Sequence, residues 1–333
     1  MQLGQGETRD PKWSIDPTSY VPSALHREER GWNESNCYVD LWIELLHAQG
    51  FEPLACMPFT LSADFEGDQW LFFKPPLGDL DRLYGIDVQE LNIWRSLLLH
   101  VAEQVGQGRP VIVEVDSFHL PDTKGTSYGV EHTKTSIAIV QIDLEQRTLG
   151  YFHNAGYYTL SGADFAGVFR IDTATDPIYL PPYVELVKLD RVKRLSSDAL
   201  TRTSIDLMRY HLSVRPKSNP VTRYRQRFDA DMQWLKSESL AEFHRYAFAT
   251  LRQCGACFEL SALFLRWLER QGERDLEPIA AELASISNGA KALQFKVARA
   301  VNTKKALDAA ALLNAMEASW DKAMQALDAR YGG

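Results

Sequence analysis

An α+β domain followed by an all-α domain is what the sequence predicts, on three observations. A mostly apolar helical run opens at Asn36. Between Arg109 and Asn154 the period changes to two, in separate strand-like runs. From about residue 195 strand signals vanish, and Ala, Leu, Glu and Lys recur at helical spacing. The boundary is therefore placed there, giving an α+β half over residues 1–195 and a helical half over residues 196–333.

A chain of 333 residues has room for two domains, and 45% hydrophobic with 24% charged residues is ordinary for a globular protein. The formal charge of −8 argues against nucleic acid as the main partner. The opening MQLGQGETRDPKW lacks the basic and apolar regions of a signal peptide, and no stretch approaches the roughly 18 apolar residues that span a bilayer. A cytoplasmic protein without a membrane partner is expected. Its four cysteines are too few and too unevenly placed for a disulfide framework, so they are expected to be reduced thiols.

The first helix spans GWNESNCYVDLWIELLHAQG, residues 31–50. From Tyr38 to Leu46 nearly every residue is apolar, and the exceptions Asp40, Glu44 and His47 fall on one stripe. Asn36 is a good N-cap, Gly50 a good stop, and Cys37 takes the first helical position. A thiol there meets the positive end of the helix dipole and unpaired amides, which favour the thiolate; the plainer reading is a small buried hydrophobe. Residues 51–75 read as strand-like and turn-like pieces, with Asp64, Glu66 and Asp68 in a solvated turn rather than a cation loop. Residues 87–105 have helical periodicity.

The strand Val111–Val115 ends in polar residues that include Asp116, His119 and Asp122. His132 then precedes the strand Ser136–Ile142, and Thr148–His153 returns to Asn154 as the second arm of an antiparallel hairpin. In the helical half, segments 228–251, 256–271, 276–286, 289–302 and 305–330 are expected helices. Cys254 and Cys257 form a CxxC inside one of them, where zinc would lack two further ligands; packing is the expected role, and no bound metal or cofactor is expected.

A thiolate nucleophile needs a general base, and the base an acceptor on its other ring nitrogen. Of the eight histidines, His119, His132 and His153 stand at sheet ends. Asp143 lies about 36 Å along an extended strand from His132, too far to orient it. The hairpin returns Asn154 toward His132, although a turn centred on residues 144–145 sets Asn154 opposite Thr135 and requires a bulge or a loose strand start to close the gap. His153 is the second candidate for the base.

The order of a helix-start Cys, a GRPV strand running into DSFHLP, a His before a strand and a polar residue ending the next resembles the papain-like fold. Within that fold it resembles the N-terminal domain of the butirosin-biosynthesis acyltransferase, which moves an acyl group from a carrier protein onto an amine. NCYVDLWIELLHAQG, DFEGDQWLFFK, LYGIDVQELNIWR, EVDSFHLPDT, EHTKTSIA and YFHNAGYY together are similar to the bacterial family called domain of unknown function 1839, over nearly the whole chain. The resemblance implies a nucleophile at Cys37, a base at His132 and an orienter at Asn154, with Asp116 where the butirosin-type enzymes carry an Asp. Gly31 stands where papain has its oxyanion Gln, so the amide of Cys37 with Asn33 or Asn36 is the expected oxyanion donor pair. His119 and His153 are expected to line the site.

Family members encoded beside carrier proteins, and beside the ligases that load amino acids onto them, imply an aminoacyl group delivered on a partner's phosphopantetheine. The acceptor would be a small molecule or a peptide, attacking through an amine or a thiol. The basic segment with Arg209, Arg215, Lys217, Arg223, Arg225 and Arg227 is either a solvated connector or a dock for that acidic carrier. Two other readings stand beside acyl transfer: a cysteine peptidase or amidase using the same triad, and a binding module that keeps the fold without catalysis.

Overall fold

The structure, a computed structural model, describes residues 13–27, 30–171 and 180–332. In chain order its helices are α1 (Ala24–Arg27), α2 (Cys37–Ala48), α3 (Leu77–Tyr84), α4 (Leu97–Gly106), α5 (Gly162–Val168) and α6 (Ser197–Val214). Then come α7 (Pro220–Leu235), α8 (Leu240–Ala247), α9 (Gln253–Arg270), α10 (Glu277–Thr303) and α11 (Ala310–Tyr331). The strands are β1 (Asp87–Glu90), β2 (Val111–Asp116), β3 (Lys134–Asp143), β4 (Thr148–His153), β5 (Gly156–Ser161) and β6 (Val184–Lys188). No helix among the described residues is long and apolar enough to cross a membrane.

Two compact units emerge. The first takes the described residues of 13–27, 40–50, 85–171 and 180–192; the second takes 30–39, 51–84 and 193–332. The division passes through α2, after Val39.

The first unit is an α+β layer structure around one antiparallel sheet of order β1-β6-β2-β3-β4-β5. One face of the sheet buries Val113, Ile137, Ile139, Leu149 and Tyr151 beneath Val101 of α4 and Phe165 of α5. The other face carries Phe152 and Tyr157, against which Tyr20 packs; the Tyr20 ring also meets His47 of α2. This alternation is the period of two read from the sequence. The β3–β4 hairpin forms as expected: Asp143 Oδ1 accepts from the amides of Glu145 and Gln146, and Arg147 takes a positive φ to close the turn.

Buried charge fixes the sheet-side part of α2. His26 places Nδ1 2.5 Å from Glu44 Oε1 and Nε2 3.2 Å from Asp40 Oδ1, while Tyr20 and the Ser23 amide donate to Glu44. The polar stripe of the helix is thus part of an internal network, which buried carboxylates require. Burial alone would push the His26 pKa down, but hydrogen bonds and charge from Asp40 and Glu44 outweigh it and raise it.

Several expected elements differ. Residues 87–105 are not one helix: Asp87–Glu90 pair with β6 as β1, and the Leu91 amide bonds Val184 O, so sheet pairing overrides the local helical period until Leu97. Residues 53–62 form a 3₁₀ helix headed by Pro53 with Pro58 inside it, and only the bridge Phe65–Trp70 is strand-like between residues 51 and 75. Strands β5 and β6 have no counterpart among the expected elements.

The second unit is helical apart from that bridge. The basic segment holds the end of α6 and the start of α7, capped by Asn219 with Pro220 at its first position. The segment 228–251 is broken at Ser239, which caps α8. The expected helices 276–286 and 289–302 are the single α10, because Gly289 leaves room for Met316 of α11 instead of breaking the helix; an added Cβ would lie 2.5 Å from Met316 Cγ. Cys254 and Cys257 are buried on α9, as packing requires.

Candidate functional site

Cys37 opens α2, and its surroundings are built within the second unit. Asn36 is the N-cap, accepting the Val39 amide on Oδ1 at 3.2 Å. Its Nδ2 donates to Phe73 O at 2.8 Å and to Gln253 Oε1 at 3.1 Å, so both amide hydrogens are committed and Asn36 has none to offer an oxyanion. Gln253 in turn donates to Ser35 O. Further back along the loop, Glu259 accepts the Gly31 amide at 2.7 Å and pairs with Arg30, and Lys291 donates to Gly31 O at 2.5 Å. Arg252 donates to Glu34 O, where the backbone takes a positive φ. The whole of residues 30–36 is therefore fastened to α9 and α10, and to Arg252 just before α9, by side chains more than 200 positions away. Asn33 is the odd member, its Oδ1 buried without a hydrogen-bond partner. That leaves Asn33 and the Cys37 amide as the oxyanion candidates.

Cys37 is partly exposed, whereas Cys56, Cys254 and Cys257 are buried. Burial holds the Cys56 thiol up at about 12 and raises Cys254 and Cys257 further from the ionisable range.

His132 lies in the first unit, just ahead of β3. Its Nδ1 is 2.5 Å from Asp116 Oδ2, and its ring stacks on Phe118 with centroids 4.4 Å apart and planes at 11°. Asp116 ends β2 opposite Lys134, which brings it within reach; its other oxygen accepts the Phe118 amide at 3.0 Å and fixes the carboxylate. The partner of His132 is thus Asp116, not the expected Asn154. Asn154 sits in the two-residue turn from His153 to Gly156, with φ of 45°, a conformation Asn tolerates. A bulge between Ile139 and Gln141 does shift the β3–β4 register, but only far enough to set Asn154 level with Ser136, about 13 Å of strand from His132.

Beside the His132–Asp116 pair opens a cleft of about 960 Å³ whose walls include Leu97, Val168, Pro182 and Tyr183, with His119 at its side. Gly167 makes room for His119: an added Cβ there would fall 2.2 Å from Nδ1. Asp116, His119 and His132 come together at this cleft.

His153 does not join them. It is 1% exposed on the core face, its Nδ1 2.5 Å from Asp122 Oδ2 and its Nε2 2.8 Å from Thr135 Oγ1, and Tyr151 donates to the same Asp122. Both ring nitrogens are occupied, which is how a buried histidine is satisfied.

The basic segment is largely neutralised by its own unit. Arg209 pairs with Asp206, Arg215 with Asp328, Arg223 with Asp64, Arg225 with Glu317 and Arg227 with Asp231; Lys217 lies in the turn before α7. Asp64, one of the three acidic residues weighed as cation ligands, is thereby engaged, and no group of three His, Cys, Asp or Glu side chains fit to hold a metal occurs among the described residues.

Glu259, Gln253 and Lys291 carry no motif, and only the tertiary structure reveals their part in holding the Cys37 loop. Compared with known proteins, residues 21–189 match the family model of the DUF1839 N-terminal domain and residues 197–329 that of the DUF1839 C-terminal domain. No curated protein matches.

Proposed function

The chain belongs to the DUF1839 family, both of whose domains it carries, and from that premise we propose that it is a papain-like, cysteine-dependent acyltransferase of the cytoplasm. The observation that carries this reading is Cys37 itself: a partly exposed thiol at the first position of a capped helix, in a chain whose other three cysteines are buried and protonated. The His132–Asp116 pair supplies a base with an oriented ring.

In this reading the Cys37 thiolate attacks the carbonyl carbon of an aminoacyl thioester on a carrier protein's phosphopantetheine. The new C–S bond forms as the old one breaks, and the departing pantetheine thiolate takes the proton held by His132. An acceptor amine then attacks the Cys37 thioester and gives its proton to His132, the C–S bond breaks to release the Cys37 thiolate as the amide forms, and Asp116 stabilises the imidazolium. No cofactor is required beyond the arm that the partner brings.

Intact-mass spectrometry of the protein incubated with aminoacyl carrier protein tests this. The acyl mass is expected on wild type and not on Cys37→Ser, and it should chase off when an amine is added. Discharge by water as fast as by any amine would instead make the protein a hydrolase. A Cys37 that never acquires the mass would remove the nucleophile.

A further inference from the structure

We infer that the cleft beside His132 is the acceptor site, and that it takes a primary amine on an apolar body bearing a hydroxyl, which His119 recognises. This rests on the acyl-transfer reading and names the acceptor that the reading leaves open.

His132 fixes the reactive end. Its Nδ1 is engaged by Asp116 Oδ2, so Nε2 is the nitrogen left to take a proton, and it has no hydrogen-bond partner among the described residues. An amine that delivers its proton there has the rest of its body in the adjoining cleft. That cleft holds about 960 Å³, the size of a small-molecule site, and Leu97, Val115, Ala166, Val168 and Pro182 give it apolar walls. The body of the acceptor is apolar to match.

His119 supplies a second contact. His26, His153 and His211 are each held by a carboxylate, at 2.5, 2.5 and 2.7 Å, whereas the ring of His119 makes no hydrogen bond among the described residues. Packing positions it instead. Phe118 stacks on His132 and meets His119 edge-on, with centroids 5.1 Å apart and planes at 77°, so both imidazoles stand against one ring, a small molecule's length from each other. Gly167 of α5 leaves the space that His119 occupies, since an added Cβ would lie 2.2 Å from Nδ1. A packed imidazole without a polar partner, in the wall of an apolar cleft, is available to a ligand. A neutral imidazole carries one donor and one acceptor nitrogen, and a hydroxyl suits either.

Charge decides against a carboxylate in place of the hydroxyl. Glu114 and Asp116 stand two positions apart on β2, hence on one face, and both line the cleft. They repel an anion and suit the ammonium form in which an amine arrives. Of the cations at the cleft, Lys134 already pairs with Glu114 at 2.7 Å, and Arg170 is not free either. Backbone pairing decides against a peptide. Strand β2 is bonded to β3 on one side and to β6 on the other, and the Glu114 amide donates to Tyr183 O, so the strand has no open edge to receive an extended chain.

The test is calorimetric binding of tyramine, 2-phenylethylamine and phenylalanine to the full chain. Tyramine should bind about tenfold tighter than 2-phenylethylamine, the worth of one hydrogen bond, and phenylalanine should bind weakest. In His119→Leu, tyramine should fall to the level of 2-phenylethylamine, whose own affinity stays within about twofold. A merely structural part for His119 would lower both. Gly167→Ala, which forces the imidazole aside without removing it, should erase the same preference. Ala166→Trp, which fills the cleft from α5, should weaken both amines about tenfold or more. Equal affinity of wild type for the two amines, a preference that survives His119→Leu, or a loss of both amines in that variant would each overturn the assignment. So would a wild type that binds no tyramine, or that binds phenylalanine or a tetra-alanine amide more tightly. If tyramine binds in the expected pattern yet Cys37 never acquires an acyl mass, the cleft stands and acyl transfer falls. If acylated Cys37 discharges to both amines alike, and as fast in Ala166→Trp as in wild type, acyl transfer stands and the cleft falls.

Discussion

Trp32 Nε1 donates to Ser287 Oγ at 2.9 Å across 255 positions of sequence, and Ser287 passes its own proton to Gly255 O at 2.8 Å. The indole lies so close to α9 that a Cβ on Gly255 would sit 2.0 Å from it. Through these contacts the helical half sets the position of the loop from which α2 starts.

Loosening that loop should affect the thiol. Ser287→Ala leaves a buried indole N–H without its acceptor, a loss of about 1–2 kcal/mol, and Gly255→Ala forces the ring aside at a cost of about 1–3 kcal/mol. Both variants are expected to melt earlier and to slow alkylation of Cys37. Peptide mapping after brief iodoacetamide treatment reads the second effect; unchanged labelling in both variants would show that the loop's anchorage does not matter to Cys37.

Selectivity among the four cysteines is a separate expectation. Burial keeps Cys56, Cys254 and Cys257 protonated at neutral pH, with Cys56 held up at about 12. Only the thiolate reacts, so Cys37 should carry nearly all early label. Equal labelling of Cys254 or Cys257 in the folded protein would contradict the burial on which this rests.

Stability should depend on pH through His26. Its folded pKa is raised by Asp40 and Glu44 against the opposing effect of burial, so the charged ring stabilises the fold fully below its unfolded value of about 6.5. That contribution is lost as pH rises through the folded pKa, each unit of elevation being worth about 1.4 kcal/mol. Denaturant midpoints should therefore fall on going from mildly acidic to alkaline pH in wild type, and fall less in His26→Gln. Parallel curves for the two proteins would remove His26 as the cause.

Local signals make part of this legible. The Asn36 cap, the Gly50 stop and the β3–β4 hairpin each follow from residues within a few positions of one another, and all three form. Strand β1 is not legible, because DVQE has no strand character of its own and becomes a strand only by pairing with β6, about a hundred positions later. The partner of His132 is hidden for a related reason. The β4–β5 turn that takes up Asn154 depends on the pairing of β5 with β4, while the approach of Asp116 to His132 depends on the β2–β3 register and not on any spacing within one segment. The pairing of Glu44 with His26 is equally invisible, because periodicity reports a stripe without saying what covers it.

The last prediction decides between the two orienting residues. Asp116 Oδ2 lies 2.5 Å from His132 Nδ1, and its Oδ1 is pinned by the Phe118 amide, so Asp116→Asn keeps the shape while removing the charge that favours the imidazolium. Both side chains are substantially exposed, at 38% for Asp116 and 71% for His132, so solvent shares the stabilisation and the loss is set below that of a buried triad, at about tenfold to a hundredfold in single-turnover acyl transfer. Asn154→Gly suits the positive φ of the turn and should leave the rate within about twofold. A larger loss from Asn154→Gly than from Asp116→Asn would return the orienting role to Asn154 and leave Asp116 as the acceptor of the Phe118 amide alone.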